Sequence, residues 1–228
     1  MQRAERAGYR GLVVTVDTWT LAWRPRDLAC GYLPFLTGQG LANYFSDPVF
    51  RSRLAEPPEH DPAAAIALWS GIFANPKLRW TDLGWLREQT RLPILVKGIC
   101  HADDAREALA VGVDGIIVSN HGGRQVDGAR PALDCLPEVS TACREHPVLF
   151  DSGIPTGSDV LKAIALGATA VLLGRPYVFG LAVGGDNGLR HVPRCLLADL
   201  DLTLGLSGHG SLSELDPSCL VSGRAPRP

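Results

Sequence analysis

Five short aliphatic, β-branched runs, each stopped by a polar or glycine residue, restrict what this chain can fold into more than any other feature. They occupy residues 12–17, 93–98, 115–120, 148–153 and 170–175. Continuous apolar runs of this kind suit strands buried on both faces, as in parallel sheets, whereas half-exposed strands alternate. Helix-like segments at 82–89, 102–110 and 156–166 precede the second, third and fifth runs. Asp103 and Asp104 fall in a first turn, where the helix dipole favours acid, and Gly112 and Gly167 follow the helix ends. Strand and helix alternate at short intervals, which predicts an α/β fold with parallel strands joined by right-handed crossovers.

One connection breaks the rhythm. Between Asp17 and Pro93 lies aromatic, proline-rich sequence, residues 19–80, with a helix predicted over 63–73. A long insertion at the C-terminal end of a strand reads as an active-site loop within a single domain spanning 1–228.

Composition narrows the function classes. With 228 residues, 46 % of them hydrophobic, the chain can bury one core. A formal charge of −2 offers no basic patch for nucleic acid and no polybasic run for a membrane surface. No stretch approaches the ~20 apolar residues of a transmembrane helix. The charged Met1–Gln2–Arg3 start is not a secretory signal. Six cysteines without a C-x-x-C pair read as reduced thiols of a cytoplasmic protein, not as a disulfide framework or metal site.

The strand ends carry the chemistry. Thr15 and Asp17, Lys97, Ser119 with Asn120 and His121, Asp151 with Gly153, and Gly174 with Arg175 close the successive runs. In a parallel barrel these ends converge on one face, where catalysis is located. Any one of them could be a solvated loop residue; five together form a constellation. Asp151-Ser152-Gly153 with the Gly157 turn, and Gly174-Arg175, combine small residues, backbone N–H groups and a guanidinium, which is how a phosphate is cradled. Lys97 reads either as an ion-pair partner of Asp17 or Asp151 or as the counter-charge of an anionic cofactor ring. His121, between a strand end and paired glycines with Arg124 close by, suits a general base beside a carboxylate clamp.

The run Ser119-Asn-His-Gly-Gly-Arg-Gln125 resembles the active-site signature of the FMN-dependent α-hydroxy-acid dehydrogenases and oxidases. Residues 12–18, 93–98, 151–153 and 174–176 are similar to that family in the same order, and the stretch from Trp19 to Asp27 looks closest to lactate 2-monooxygenase and related lactate oxidases. The resemblance implies a TIM (β/α)8 barrel, of which these runs would be strands four to eight with the N-terminal units missing. It implies FMN as cofactor, a small L-2-hydroxy acid such as lactate as substrate, O2 as acceptor, and homo-oligomeric assembly. It makes His121 the proton acceptor as a hydride equivalent reaches the flavin, and Asp17 its orienting partner. Arg24 and Arg124 would bind the substrate carboxylate. Thr15, Lys97 and Ser119 would contact the flavin, and Asp151, Ser152, Gly153, Gly174 and Arg175 the ribityl chain and phosphate. No residue is assigned to a metal.

Two positions depart from the family. Pro155 stands where an arginine usually binds the phosphate, a loss worth about 1.5–3 kcal/mol for a charged hydrogen bond. Pro193 would kink or break a C-terminal helix expected over 187–204. Together with the missing strands, these leave a second reading open, a catalytically inactive remnant serving as a fold fragment or interaction module. A different phosphate-binding barrel, such as a type 2 isomerase, would explain the glycine loops but not His121 with Arg124.

Overall fold

The structure, a computed structural model, describes residues 1–221. The chain forms two compact units, Thr18–Leu78 and the remainder. Helix α1 (Gln2–Arg6) leads into β1 (Leu12–Thr15), after which the smaller unit contributes α2 (Pro25–Cys30), α3 (Ala42–Phe45), α4 (Pro48–Arg51) and α5 (Pro62–Phe73). The larger unit then alternates: α6 (Trp80–Glu88), β2 (Ile94–Ile99), α7 (Ala102–Ala110), β3 (Gly115–Val118), α8 (Ala132–Ala142), β4 (Val148–Phe150), α9 (Gly157–Ala165), β5 (Ala170–Val171) and α10 (Arg175–Leu206).

The five strands are parallel and pair in chain order, β1 through β5. A doubly wound sheet reverses direction at a switch point, whereas a barrel always adds the next strand on the same side. This sheet therefore has the winding of a (β/α)8 barrel. The helices begin for local reasons. The His101 ring accepts the Asp103 N–H at the start of α7, and Thr156 and Asp159 form a reciprocal capping box on α9. α8 was not legible as a helix, because Pro137 lies inside it and Pro131 precedes it.

Ile94, Val96 and Ile99 of β2 and Phe150 of β4 pack against Leu83 of α6, Ala105 of α7 and Leu136 and Val139 of α8. Only β3 is buried along its whole length; β1, β2, β4 and β5 alternate or stay partly exposed. The expectation of strands buried on both faces thus holds for β3 alone. Helices cover one face, and on the other Leu95, Lys97 and Leu149 are only partly covered. Pro193 does not break α10, contrary to the sequence reading. The non-helical backbone falls on Gly184 and Gly185, where freedom at glycine makes a kink cheapest.

The smaller unit has its own core of Leu41, Phe50, Ala65 and Trp69, with the Phe35 and Phe73 rings tilted against the indole. Arg51 grips both carboxylate oxygens of Glu59 at 2.8 and 3.0 Å, and this hydrogen-bonded pairing holds the Glu59 carboxyl down to about 2. A folded-state value below the unfolded one (~4.3) means that the pair supports folding above that pH. The contribution is lost as pH falls from ~4.3 toward 2. Carboxyl-carbon NMR is expected to find Glu59 still ionised at pH 3, returning to the ordinary range in Arg51→Ala.

Candidate active site

The site begins with a defect in the ladder. β2 and β3 pair Lys97 with Ile117 and then Ile99 with Val118, leaving Gly98 as a bulge. Gly98 has φ 110°, and a β-carbon there would lie 2.8 Å from Cβ and Cγ of Asp17. Bare backbone at this point lets Asp17 close in from the end of β1. Its Oδ1 stands 3.0 Å from His121 Nδ1, and its backbone carbonyl accepts from Gln125 Nε2. Because a carboxylate only accepts, Nδ1 carries the proton and Nε2 is left as the basic nitrogen. Asp17 Oδ2 is buried with no hydrogen-bond partner, so the carboxylate has no other strong claim on it among the described residues.

His121 sits in a short 3-10 turn, His121–Gly123, with φ 57°. That left-handed backbone is unusual for a residue with a side chain. Two hydroxyls hold it: Ser119 Oγ accepts the His121 N–H at 3.0 Å, and Ser152 Oγ accepts those of Asn120 and Gly122. Lys97 Nζ donates to Ser119 Oγ at 2.9 Å and pairs with Asp151 Oδ2 at 3.2 Å. The ion pair considered for Lys97 is therefore formed, with Asp151 and not with Asp17, while Lys97 still faces the cleft.

That cleft, about 800 Å³, lies at the C-terminal strand ends. Lys97, His121, Arg124, Asp151 and Arg175 give it polar groups, and Leu172 and Phe179 an apolar wall. Arg175 donates to the Gly122 carbonyl at 3.0 Å. Cys100 lies behind the site, its thiol pushed up to about 12 by burial and donating to the Ser119 carbonyl. It is no nucleophile at neutral pH, since the thiol stays protonated there.

Most sequence-assigned residues meet here. Asp17, Lys97, Ser119, His121, Asp151 and Ser152 form one hydrogen-bonded group, and Arg124, Gly153, Gly174 and Arg175 line the cleft beside it. Thr15 closes β1 opposite Lys97 in register but does not line the cleft. Arg24 belongs to the smaller unit, where it stands at the N-cap position of α2 and its Nη1 lies 3.9 Å from Asp27 Oδ2. The Gly157 turn departs from expectation: its N–H is taken by Asp199 Oδ2 at 2.6 Å, and that of Thr156 by Asp159. The first turn of α9 is thus satisfied by the chain's own carboxylates. Pro155 lines the cleft and offers it no donor. Gly98 and Gln125 were missed as site residues, although a glycine inside a strand pattern is the usual mark of a bulge or close approach.

A parallel sheet wound in one direction, with an imidazole–carboxylate pair and cations at its C-terminal ends, defines a barrel-type enzyme site. Residues 1–222 match the FMN-dependent dehydrogenase family, and the chain belongs to it. It is 47 % identical over 224 residues to an FMN-dependent alpha-hydroxy acid dehydrogenase of Penicillium citrinum, covering 96 % of this chain and 56 % of the relative. An L-lactate oxidase of Lysinibacillus sphaericus is 42 % identical over 220 residues, again covering 96 % and 56 %. Among solved structures, a lactate oxidase of Pediococcus acidilactici superposes with TM-score 0.77 at 33 % identity, over 93 % of this chain and 54 % of that one. A soluble mutant of (S)-mandelate dehydrogenase from Pseudomonas putida gives TM-score 0.80 at 38 % identity, over 95 % and 59 %. The chain therefore spans somewhat more than half the length of these relatives.

The cleft fits the family's cofactor in kind. It offers a cation at Lys97, an apolar wall for a ring system, and a guanidinium at Arg175. At Gly153 and Gly174 a β-carbon would meet nothing within 4 Å, so the backbone there is open to a ligand. α9 starts with a capping box, whereas α10 starts at Gly174, which has no side chain to cap its first N–H groups.

Proposed function

We propose that this chain carries out the FMN-dependent oxidation of a small, lactate-like L-2-hydroxy acid to the 2-oxo acid. The observation that carries this reading is the His121–Asp17 pair at 3.0 Å, with the imidazole at a cleft that Arg124, Lys97 and Arg175 also line. His121 Nε2 takes the proton of the substrate's 2-hydroxyl. Asp17, fixed on Nδ1, holds the ring and offsets the charge that the imidazole gains. Arg124 binds the substrate carboxylate, and Arg24 is the second member of that clamp, carried by residues 19–80 acting as an active-site loop. Lys97, Gly153, Gly174 and Arg175 hold the cofactor at the cleft, with Thr15 and Ser119 on the sheet side. Bound FMN supplies the two-electron acceptor. Molecular oxygen is the final acceptor, so hydroxy acid and O2 become oxo acid and hydrogen peroxide. The similarity of the segment from Trp19 to Asp27 to lactate 2-monooxygenase extends the reading to oxidative decarboxylation, in which retained pyruvate and peroxide give acetate, carbon dioxide and water.

One observation favours a second reading, a catalytically inactive chain that serves as an interaction module: Pro155 lines the cleft and offers it no donor. A visible absorption spectrum after incubation with FMN and gel filtration, followed by anaerobic L-lactate, separates the two. The expected result is a retained flavin band that lactate bleaches. A chain that retains no flavin, or a flavin that lactate leaves oxidised, would move the assignment to the second reading.

A further inference from the structure

We infer that Ser152 is a positioning residue for His121, its hydroxyl holding the backbone on either side of the imidazole instead of touching a ligand. The inference rests on the reading of His121 as the base. A serine hydroxyl has one proton to give and two lone pairs to receive with. At Ser152 all three are used. The proton goes to Asp151 Oδ1 at 2.7 Å, and the lone pairs take the N–H groups of Gly122 at 2.9 Å and Asn120 at 3.2 Å. Nothing remains for a cofactor, although the residue lines the cleft.

Those two N–H groups need such a partner. The chain has left β3 at Val118, and a three-residue turn has no carbonyls to offer its first N–H groups. With Ser119 Oγ on the His121 N–H, three consecutive backbone donors end on two hydroxyls. This fastens His121 at φ 57° and Gly122 at φ 66°, a left-handed pair that side-chain sterics alone would disfavour at the histidine. The hydroxyls are fixed in turn. Lys97 Nζ binds Ser119 Oγ and Asp151 Oδ2, Asp151 Oδ1 binds Ser152 Oγ, and the two hydroxyl oxygens lie 3.4 Å apart. The ring therefore ties the charge pair at the cleft to the backbone of the base. Ser152 itself has φ 79°, where glycine would be the cheaper residue. Backbone conformation does not account for a serine here; its hydroxyl does.

Ser152→Gly tests this, because glycine adopts the same backbone without strain and removes the hydroxymethyl side chain, whose one polar group is the hydroxyl. In the flavin-free protein, amide hydrogen exchange at Asn120 and Gly122 is expected to speed up about tenfold, as loss of one hydrogen bond implies, with Phe150 unchanged. FMN affinity, followed by quenching of flavin fluorescence, is expected to stay within about threefold, since no ligand contact is removed. The limiting rate of flavin reduction by L-lactate is expected to fall about tenfold or more while the half-saturating lactate concentration changes little, the signature of a displaced base. An FMN affinity reduced tenfold with unchanged exchange would make Ser152 a cofactor ligand and overturn the inference. So would faster exchange with an unchanged reduction rate. Absence of lactate-driven reduction in the parent protein would sink the proposed function, and the exchange and affinity readouts would still decide whether Ser152 holds the turn.

Discussion

His121→Ala is expected to lower the rate of flavin reduction by L-lactate by about a hundredfold to ten-thousandfold, the range that a positioned general base supplies. FMN binding is expected to survive. The substitution removes the imidazole at the cleft, whose Nδ1 is held by the Asp17 carboxylate at 3.0 Å. Cys100 cannot replace it, since burial keeps that thiol protonated far above neutral pH. Asp151 is engaged by Lys97 and Ser152, so its oxygens are already occupied. The backbone N–H groups of residues 120–123 are held by Ser119, Ser152 and Asn120 side chains through bonds that do not involve the imidazole, and the turn should persist without the ring. Stopped-flow absorbance on anaerobic protein, with FMN affinity measured alongside, checks the expectation. Bleaching at the parental rate would remove His121 from the role of base.

Much of this site was visible in the sequence because barrel winding turns position along a strand into position in space. Once five apolar runs are parallel and ordered, their terminal residues must gather, and Asp17, Lys97, His121 and Asp151 do. The helix over 102–110 was legible to the residue, because its first-turn acids and the glycine after its end agree. What stayed hidden was set by neighbours distant in sequence. That Gly157 would give its N–H to Asp199 depends on how α10 packs against α9, and no local pattern reports it. That Ser152 would spend its hydroxyl on the turn after β3 depends on a 30-residue separation in the chain. The kink of α10 at Gly184–Gly185 was misplaced at Pro193 because a proline's effect was judged without the glycine pair upstream. Strand burial was overread for a related reason: apolar content tells that a face can be covered, and the covering helices lie on one side only.

Gly98→Ala carries the largest expected effect on stability, and it reaches the chemistry as well. Its φ of 110° lies outside the regions open to a residue with a side chain, a strain of about 1–3 kcal/mol. The added carbon would also stand 2.8 Å from Asp17 Cβ and Cγ and 3.0 Å from its backbone N. Those atoms are the rigid root of the side chain, with no flexible tip to swing aside, so the end of β1 itself must move. Steric crowding of this kind adds about 1–3 kcal/mol, giving a total near 2–6 kcal/mol against a usual stability of about 5–15. Gly153→Ala provides the control. It has a similar φ of 108° but no atom within 4 Å of the new carbon, so it should show the backbone strain alone. Denaturant midpoints are expected to fall further for Gly98→Ala than for Gly153→Ala. Where Gly98→Ala still folds, displacement of Asp17 should slow flavin reduction by about tenfold or more, since the imidazole loses the group that fixes its tautomer. Equal losses of stability in the two variants would mean that Asp17 yields freely, and the bulge would then have no part in aiming the carboxylate at His121.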